Sequence, residues 1–466
     1  GKPVEASTGR RTGVHASTNT LTEFVPPSSQ HDVTDYRNNH YVPQWYQKRF
    51  LGQVGGERKF FYLDLRPDRV TSGKRSHTRN ALLRWGPKRC FVERDLYTTR
   101  LGTWQAVDIE KHFFGRIDAN GSRAAVEYFG TFSHPSVDQS ALESMMRYMT
   151  LQRLRTPKGL TRLAEMARMQ DKNAVLQAMQ ELQNMYGAMW TESVWSIADA
   201  SGSPTKFIVS DHPVTVYNKA CFPGSPTCRG AGDPEVWWSG THTIFPLSAE
   251  KLLILTNLSW VRNPYGSPLE AWPNPRLFRS AIFNFLSIQT GRELAEEELW
   301  AINHVIKQRA YRYIAAAEED WLYPEKYLSP LWWDKLGKGY LFMPDPRSVG
   351  FTTGIRAGFE DGQVSAWDEY GRTPRESGFR DSGGRDQEWR TFRAFQGEFA
   401  RLFGPKRRGL TYSYGGLDRA EDTPDLHASY LRAEKHYKSA GDPKAEEVIL
   451  CRSDRSGTDR RHVTFA

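Results

Sequence analysis

Residues 40 to 50 read His-Tyr-Val-Pro-Gln-Trp-Tyr-Gln-Lys-Arg-Phe, a dense run of groups that can do chemistry. His40 titrates near neutrality and could exchange a proton. Pro43 fits the first turn of a helix, where a missing N–H costs nothing. That places His40 and Gln44 beside backbone N–H groups that favour anions, and a phosphate suits such a corner. The plainer reading is a His that makes a structural hydrogen bond at a helix start. Gln152 and Arg155 are three apart and share a helix face. Arg155 could grip phosphate or carboxylate through two N–H groups, or simply satisfy the last helix carbonyls or a structural acid. Glu110 and Asp118 are eight residues apart, about two helical turns, so one face can present both. With His40 and Asp211 they would make adequate ligands for Mg²⁺ or Mn²⁺. Asp211 equally suits a turn, since Ser-Asp before a Pro is good turn chemistry, and His212 reads as its solvent-facing neighbour.

A second kind of chemistry is carried by charge. From Arg58 to Arg100 there are twelve basic residues and four acidic ones (Asp64, Asp68, Glu93 and Asp95), a local excess of +8. Phe60, Phe61, Tyr62, Trp85, Phe91 and Tyr97 are interleaved with them. Cations beside stackable rings suit single-stranded or flipped nucleic acid, with Arg75, Arg79, Arg84, Lys88 and Arg89 as contacts. The bland alternative is a solvated basic face over core aromatics.

The elements that must position these residues follow from pattern. The chain has 466 residues, 39% of them hydrophobic, with 15 Trp, enough for a sizeable core. Net charge is +9 and the pI about 9.2, which favours polyanion partners weakly. No apolar run is long enough to span a bilayer. Residues 1 to 30 are polar and lack the apolar region of a secretory signal. Cytoplasmic residence is therefore expected. Of Cys90, Cys221, Cys228 and Cys451, only Cys221 and Cys228 are near neighbours. Their spacing is not that of a zinc site, a disulfide across their loop is compatible with length, and the sparse count points to reduced thiols.

Residues 1–35 read as a flexible N-terminal tail. Residues 36–320 read as an α+β core domain, a helical core with a small, mainly antiparallel sheet. Strands are expected at 59–65, 206–209, 214–217, 241–245 and 251–256. Helices are expected at 107–117, 137–155 (stopped by Pro157), through 159–198, and at 276–289 and 294–318. Met166, Met169, Met185 and Met189 read as core filler. Residues 321–403 read as a partly helical extension, with a helix over 387–403. Residues 404–466, polar and without periodicity, read as a disordered tail dispensable for the fold.

The His40–Gln44 stretch resembles the opening HYVPQ motif of a bacterial family, domain-of-unknown-function family 4238. Gln152 to Pro157 is similar to that family's RTP element. Phe207 to Val214 resembles its strand-and-turn around Ser-Asp, with His212 where Asn is common. Phe245 to Ser248, followed by Lys251 to Leu255, resembles its later segment. The resemblance covers about residues 36–318 and implies no established activity.

No P-loop, nucleophile elbow, HExxH, dinucleotide-binding glycine motif or HNH spacing occurs. The expected function is a phosphate-directed hydrolase, most concretely a metal-dependent nuclease using Mg²⁺ or Mn²⁺. His40 would be base or ligand, Asp211 a metal ligand and Arg155 an electrophilic stabiliser. The alternative is a non-catalytic protein that binds nucleic acid or another partner. Convergence of His40, Gln44, Arg155 and Asp211 in one cleft would favour the first; burial of these residues, with a basic face left over, would favour the second.

Overall fold

The computed structural model describes residues 38–51, 59–72, 75–101, 104–106, 109–132, 138–222, 224–228, 232–273, 287–329, 340–351, 355–358, 361–404 and 407–413. The expected N-terminal tail, most of the expected C-terminal tail, and residues 276–286 of an expected helix lie outside them. In chain order come β1 (Asn38–His40), the single-turn α1 (Gln44–Gln47), β2 (Phe60–Asp64), β3 (Arg69–Ser72), β4 (Arg75–Thr78), β5 (Leu82–Trp85), β6 (Val92–Arg94), β7 (Thr99–Leu101) and β8 (Trp104–Ala106). Wide π-type turns over Ile109–Phe114 and Ile117–Ser122 lead into α2 (Arg123–Gly130), α3 (Gln139–Leu154), α4 (Pro157–Ala167), α5 (Lys172–Glu181) and α6 (Gly187–Thr191). Then follow β9 (Ser193–Asp199), β10 (Val209–Ser210), β11 (Thr215–Asn218), β12 (Thr241–Pro246), β13 (Lys251–Asn257), α7 (Leu258–Arg262), β14 (Ser287–Glu293), α8 (Glu296–Arg309) and β15 (Tyr313–Ala316). The last elements are β16 (Ile355–Gly358), β17 (Val364–Trp367), α9 (Ser382–Phe403) and β18 (Leu410–Ser413).

Two sheets organise the molecule. One has the order β11-β12-β13-β9-β14-β18, antiparallel throughout except for the parallel pair β9 and β14. The other, β10-β15-β2-β5, is wholly antiparallel. Helices α2 and α3 cover the first sheet: Phe129 meets Trp195 at 5.2 Å and Tyr148 meets Phe245 at 6.1 Å. The main buried cluster draws on helices and both sheets together, so the protein is mixed α and β and its core is not helical alone.

Several expectations change. Helix does not run unbroken through 159–198: it stops at Arg168, whose φ is +52°, restarts on the Asp171 cap, and gives way to β9. Ser193–Asp199 is buried on both faces, so its β-branched and aromatic residues lack the two-residue alternation that marks a half-exposed strand. The helix expected over 294–318 ends at Arg309, and 313–316 form β15. Residues 287–289, expected to end a helix, begin β14.

The C-terminal extension packs into the core. Phe392, Phe395 and Phe399 of α9 join Met343 and Val349 in a buried cluster with Val194 of β9 and Trp260 of α7. Beneath them Arg262 makes a two-pronged ion pair to Glu369 (2.5 and 2.8 Å), and Arg380 bonds both Glu369 and Glu388. Residues 407–413, expected to belong to the dispensable tail, dock as well. β18 pairs with β14, and Arg408 bonds Glu298 and, through its N–H, Asp345. No helix among the described residues is long and apolar enough to cross a membrane.

Candidate functional site

α3 ends at the Arg155 cap, and Thr156 caps α4 at once: its hydroxyl accepts the Gly159 N–H at 3.1 Å while Pro157 occupies the first helical position. This tight helix–helix corner carries Gln152 and Arg155 inward. Gln152 donates to the Tyr41 carbonyl at 2.8 Å and accepts from two nitrogens of Arg155. Arg155 also donates to Asp118 Oδ2 at 2.9 Å, and its backbone carbonyl accepts the Tyr97 hydroxyl at 2.7 Å. Its guanidinium lies 5.0 Å from the Phe114 ring and 5.6 Å from the Tyr148 ring. Burial works against this charge, but Asp118, Tyr148 and Tyr97 outweigh it and hold the Arg155 pKa above the ordinary arginine range.

The other motifs join this corner directly or through one another. Arg153 donates to the Val214 carbonyl at 2.9 Å. Thr156 Oγ1 lies 2.7 Å from His212 Nδ1. His212 is buried, not solvent-facing; burial first, then Lys158 and Arg153, depress its pKa well below the histidine range. Tyr46 donates to the Pro246 carbonyl at 2.5 Å and stacks on Phe245, and Arg49 donates to the Leu247 carbonyl at 2.7 Å. Thus all four sequence motifs meet, chiefly through side chains that bind one another's backbone.

The expected site residues divide accordingly. The structure joins Gln152, Arg155 and Asp118 in one network and ties it to Tyr41. Asp211 is engaged elsewhere. Its Oδ1 accepts the Tyr311 N–H (2.7 Å), and Oδ2 accepts those of Arg312 (2.6 Å) and Tyr313 (2.8 Å). It clamps β10 to the start of β15. Burial pushes its pKa up to about 6 against these three bonds. His40 is half-buried in β1 with Nε2 3.2 Å from the Lys88 carbonyl, and burial lowers its pKa. It therefore braces the turn carrying Lys88 and Arg89. The anion corner expected at α1 is not built, because α1 is one turn of four residues without a side-chain cap, too short for an appreciable helix dipole. Gln44 is half-buried and makes no side-chain hydrogen bond among the described residues. The Glu110 side chain is outside the described part of the structure. Among the described residues no three His, Cys, Asp or Glu side chains come together as a metal would require.

Of the basic candidates, Arg79, Arg84, Lys88 and Arg89 are exposed; the Arg75 side chain, like that of Glu110, is outside the described part. Arg84 and Phe61 face each other across β2 and β5, with the guanidinium 3.8 Å from the ring. Arg89 covers Trp85 at 4.4 Å. Neighbouring strand residues point to opposite faces, so the edge strand β5 is flanked by a stacked arginine on each side. Neither arginine nor Lys88 has an ion-pair partner among the described residues.

Sequence reading missed a charge cluster around buried Asp233, beside His212. Lys158 Nζ bonds Asp233 Oδ1 at 2.8 Å and the Arg309 carbonyl at 2.7 Å. Arg309 binds the Gly232 and Cys221 carbonyls. Burial opposes the Asp233 charge, but Lys158, Arg153 and Arg309 hold its carboxyl below the usual range. Lys158 directly follows the Gln152–Pro157 motif; no spacing rule links it to 233 or 309. Cys221 and Cys228 are joined in a disulfide, against the expectation of reduced thiols.

No curated protein and no solved structure matches this chain. Residues 38–320, more than half of it, match the family model described as a protein of unknown function (DUF4238), and the chain belongs to that family.

Proposed function

We propose that this protein binds nucleic acid, or a polyanion of like spacing, along the basic edge formed by β5 and the Gly86–Arg89 turn. One observation carries the reading: Arg84 and Arg89 are exposed, stacked on rings and free of carboxylate partners among the described residues, whereas the polar motif residues are engaged inside the fold. Arginine held flat on a ring keeps its outward N–H groups for phosphate, and the ring beside it can accept a base. The test is retention of labelled single-stranded DNA and RNA over a salt series. Affinity should fall linearly on a log–log plot, and Arg84→Glu with Arg89→Glu should flatten the slope by about two phosphate contacts. Retention that ignores salt, or is unchanged in the double variant, would dismiss this reading.

A second reading, phosphate-directed hydrolysis with Mg²⁺ or Mn²⁺, has one observation in its favour. Asp118 Oδ1 is buried with no hydrogen-bond partner among the described residues, although Oδ2 holds Arg155. A carboxylate oxygen left unpaired invites a cation. Mn²⁺-dependent cleavage of bound nucleic acid, abolished in Asp118→Asn while binding persists, would establish it; absence of cleavage across Mg²⁺ and Mn²⁺ would leave binding alone.

A further inference from the structure

We propose that the Cys221–Cys228 disulfide is a redox latch that keeps Asp233 on the cations of the motif core. The bridge closes residues 221–228, and one guanidinium ties the start of that loop to the chain beyond it: Arg309 donates to the Cys221 carbonyl and, at 2.6 Å, to the Gly232 carbonyl. Gly232 N–H bonds back to the Cys228 carbonyl at 3.2 Å, and Asp233 follows directly. The loop thereby delivers Asp233 to Lys158, which also bonds the Arg309 carbonyl. Arg153, Lys158 and Arg309 all act on this one carboxylate.

The hold on Asp233 is incomplete. Its side chain is 3% exposed, yet Oδ2 has no hydrogen-bond partner among the described residues. A buried carboxylate oxygen without a donor is costly, and what holds Asp233 in place is the pair of bonds by which its neighbour Gly232 is tied to Arg309 and to the bridged Cys228. Opening the loop removes that restraint, and solvent then competes for both Asp233 and Lys158. Pro226 and Thr227, beside Cys228, are exposed, so the bridge lies near the surface.

The chemical step is exchange with a dithiol reductant. Its first thiolate attacks Cys228 Sγ, the less buried of the two cysteines, and Cys221 departs as a thiolate that takes up a proton. The reductant's second thiol then attacks its own sulfur in the mixed disulfide and releases Cys228, which is protonated in turn. Two protein thiols form and the dithiol becomes a disulfide, so electrons and protons balance.

The experiment is acetylation of the intact, folded chain by sulfo-N-hydroxysuccinimide acetate, read lysine by lysine by mass spectrometry, with and without dithiothreitol. Lys158 reactivity should rise severalfold on reduction. Exposed Lys326 should not change. Lys307, 11% exposed and bonded to the Leu322 carbonyl, should stay protected. The Cys221→Ser, Cys228→Ser double variant should show the high Lys158 reactivity without reductant and no further response to it; it decides the case should the native bridge resist dithiothreitol. Protection of Lys158 in protein whose thiols are counted as free, or in the double variant, overturns the latch. So does a rise in Lys307 equal to that in Lys158, which would mean global unfolding.

Discussion

His212 and His242 show how residue-level chemistry sets the response to acid. Both are buried, each with Nδ1 against a threonine hydroxyl: Thr156 at 2.7 Å and Thr256 at 2.8 Å. Burial, aided by nearby cations, lowers both pKa values, that of His242 to about 3. Below the unfolded histidine value of about 6.5 the unfolded chain binds protons the folded chain refuses, so stability is lost as pH falls from there towards the folded values. Asp211 acts in the opposite sense. Its folded pKa of about 6 lies above that of an unfolded aspartate, so its contribution is present at low pH and lost as pH rises through 6. Each group contributes a slope of about 1.4 kcal/mol per pH unit where its two states differ. His212 and His242, joined by His40 and His304, whose pKa values burial also lowers, outweigh the one carboxylate and leave a net loss on acidification between pH 6 and 4. We expect the Tm to drop over that range and the drop to shrink in a His212→Asn, His242→Asn protein that folds at pH 8. A wild-type Tm that climbs on acidification would contradict this balance. His212→Ala should cost more than His212→Asn at pH 8, because alanine leaves the Thr156 hydroxyl without its side-chain partner, about 1–3 kcal/mol for a buried group; matched urea melts compare the two.

At the level of elements, the legible part of the sequence was local and the illegible part was not. α3, β12 and β13 follow from patterning, caps and turn residues that lie within a few positions of each element. The partners of Gln152, Arg153 and Tyr46 are backbone carbonyls 61 to 200 residues away. A carbonyl is the same in every residue type, so no spacing announces it as a target. For that reason the motif residues read equally well as catalytic groups or as fold clamps, and only geometry separates the two. The tail shows the same limit. Polarity marks residues 404–413 as unable to form a core, yet β18 needs only backbone pairing to β14 and two bonds from Arg408, its N–H to buried Asp345 and its guanidinium to Glu298. Arg347 also donates to the Gly404 carbonyl at 2.8 Å. Truncation after Phe403 should therefore lower the Tm by several degrees. Gly409 offers a cleaner probe: its φ is +112°, and an added Cβ would lie 1.8 Å from the Thr290 carbonyl oxygen. Gly409→Ala should reproduce most of the truncation's loss without removing a residue. Equal Tm values for the wild type and both variants would show that β18 adds nothing to stability.

At the level of the whole molecule, the expected boundary near residue 320 is bridged by a buried core and an ion network. Val194 and Trp260 precede it, whereas Phe392, Phe395 and Phe399 follow it, and all belong to one buried cluster. Arg262, from the family-matched part, is 1% exposed and meets Glu369 and Glu388 of the extension. A residue-by-residue reading places a boundary where composition changes, but the three phenylalanines on α9, with Met343, Val349 and Tyr370, anchor the extension across it. Removing one partner of a buried ion pair leaves the others charged and dry, at a cost of roughly 3–5 kcal/mol, whereas an apolar residue of like volume costs less only if both partners are replaced. We therefore expect wild-type calorimetry to show the extension melting together with the core. Arg262→Ala, which leaves Glu388 and the buried Glu369 to Arg380, should split the trace, with the extension melting first. Restoring neutrality in Arg262→Met, Glu369→Gln should bring the two transitions back towards one. Two well-separated transitions in the wild type would mean that the extension is an independent unit resting on the core.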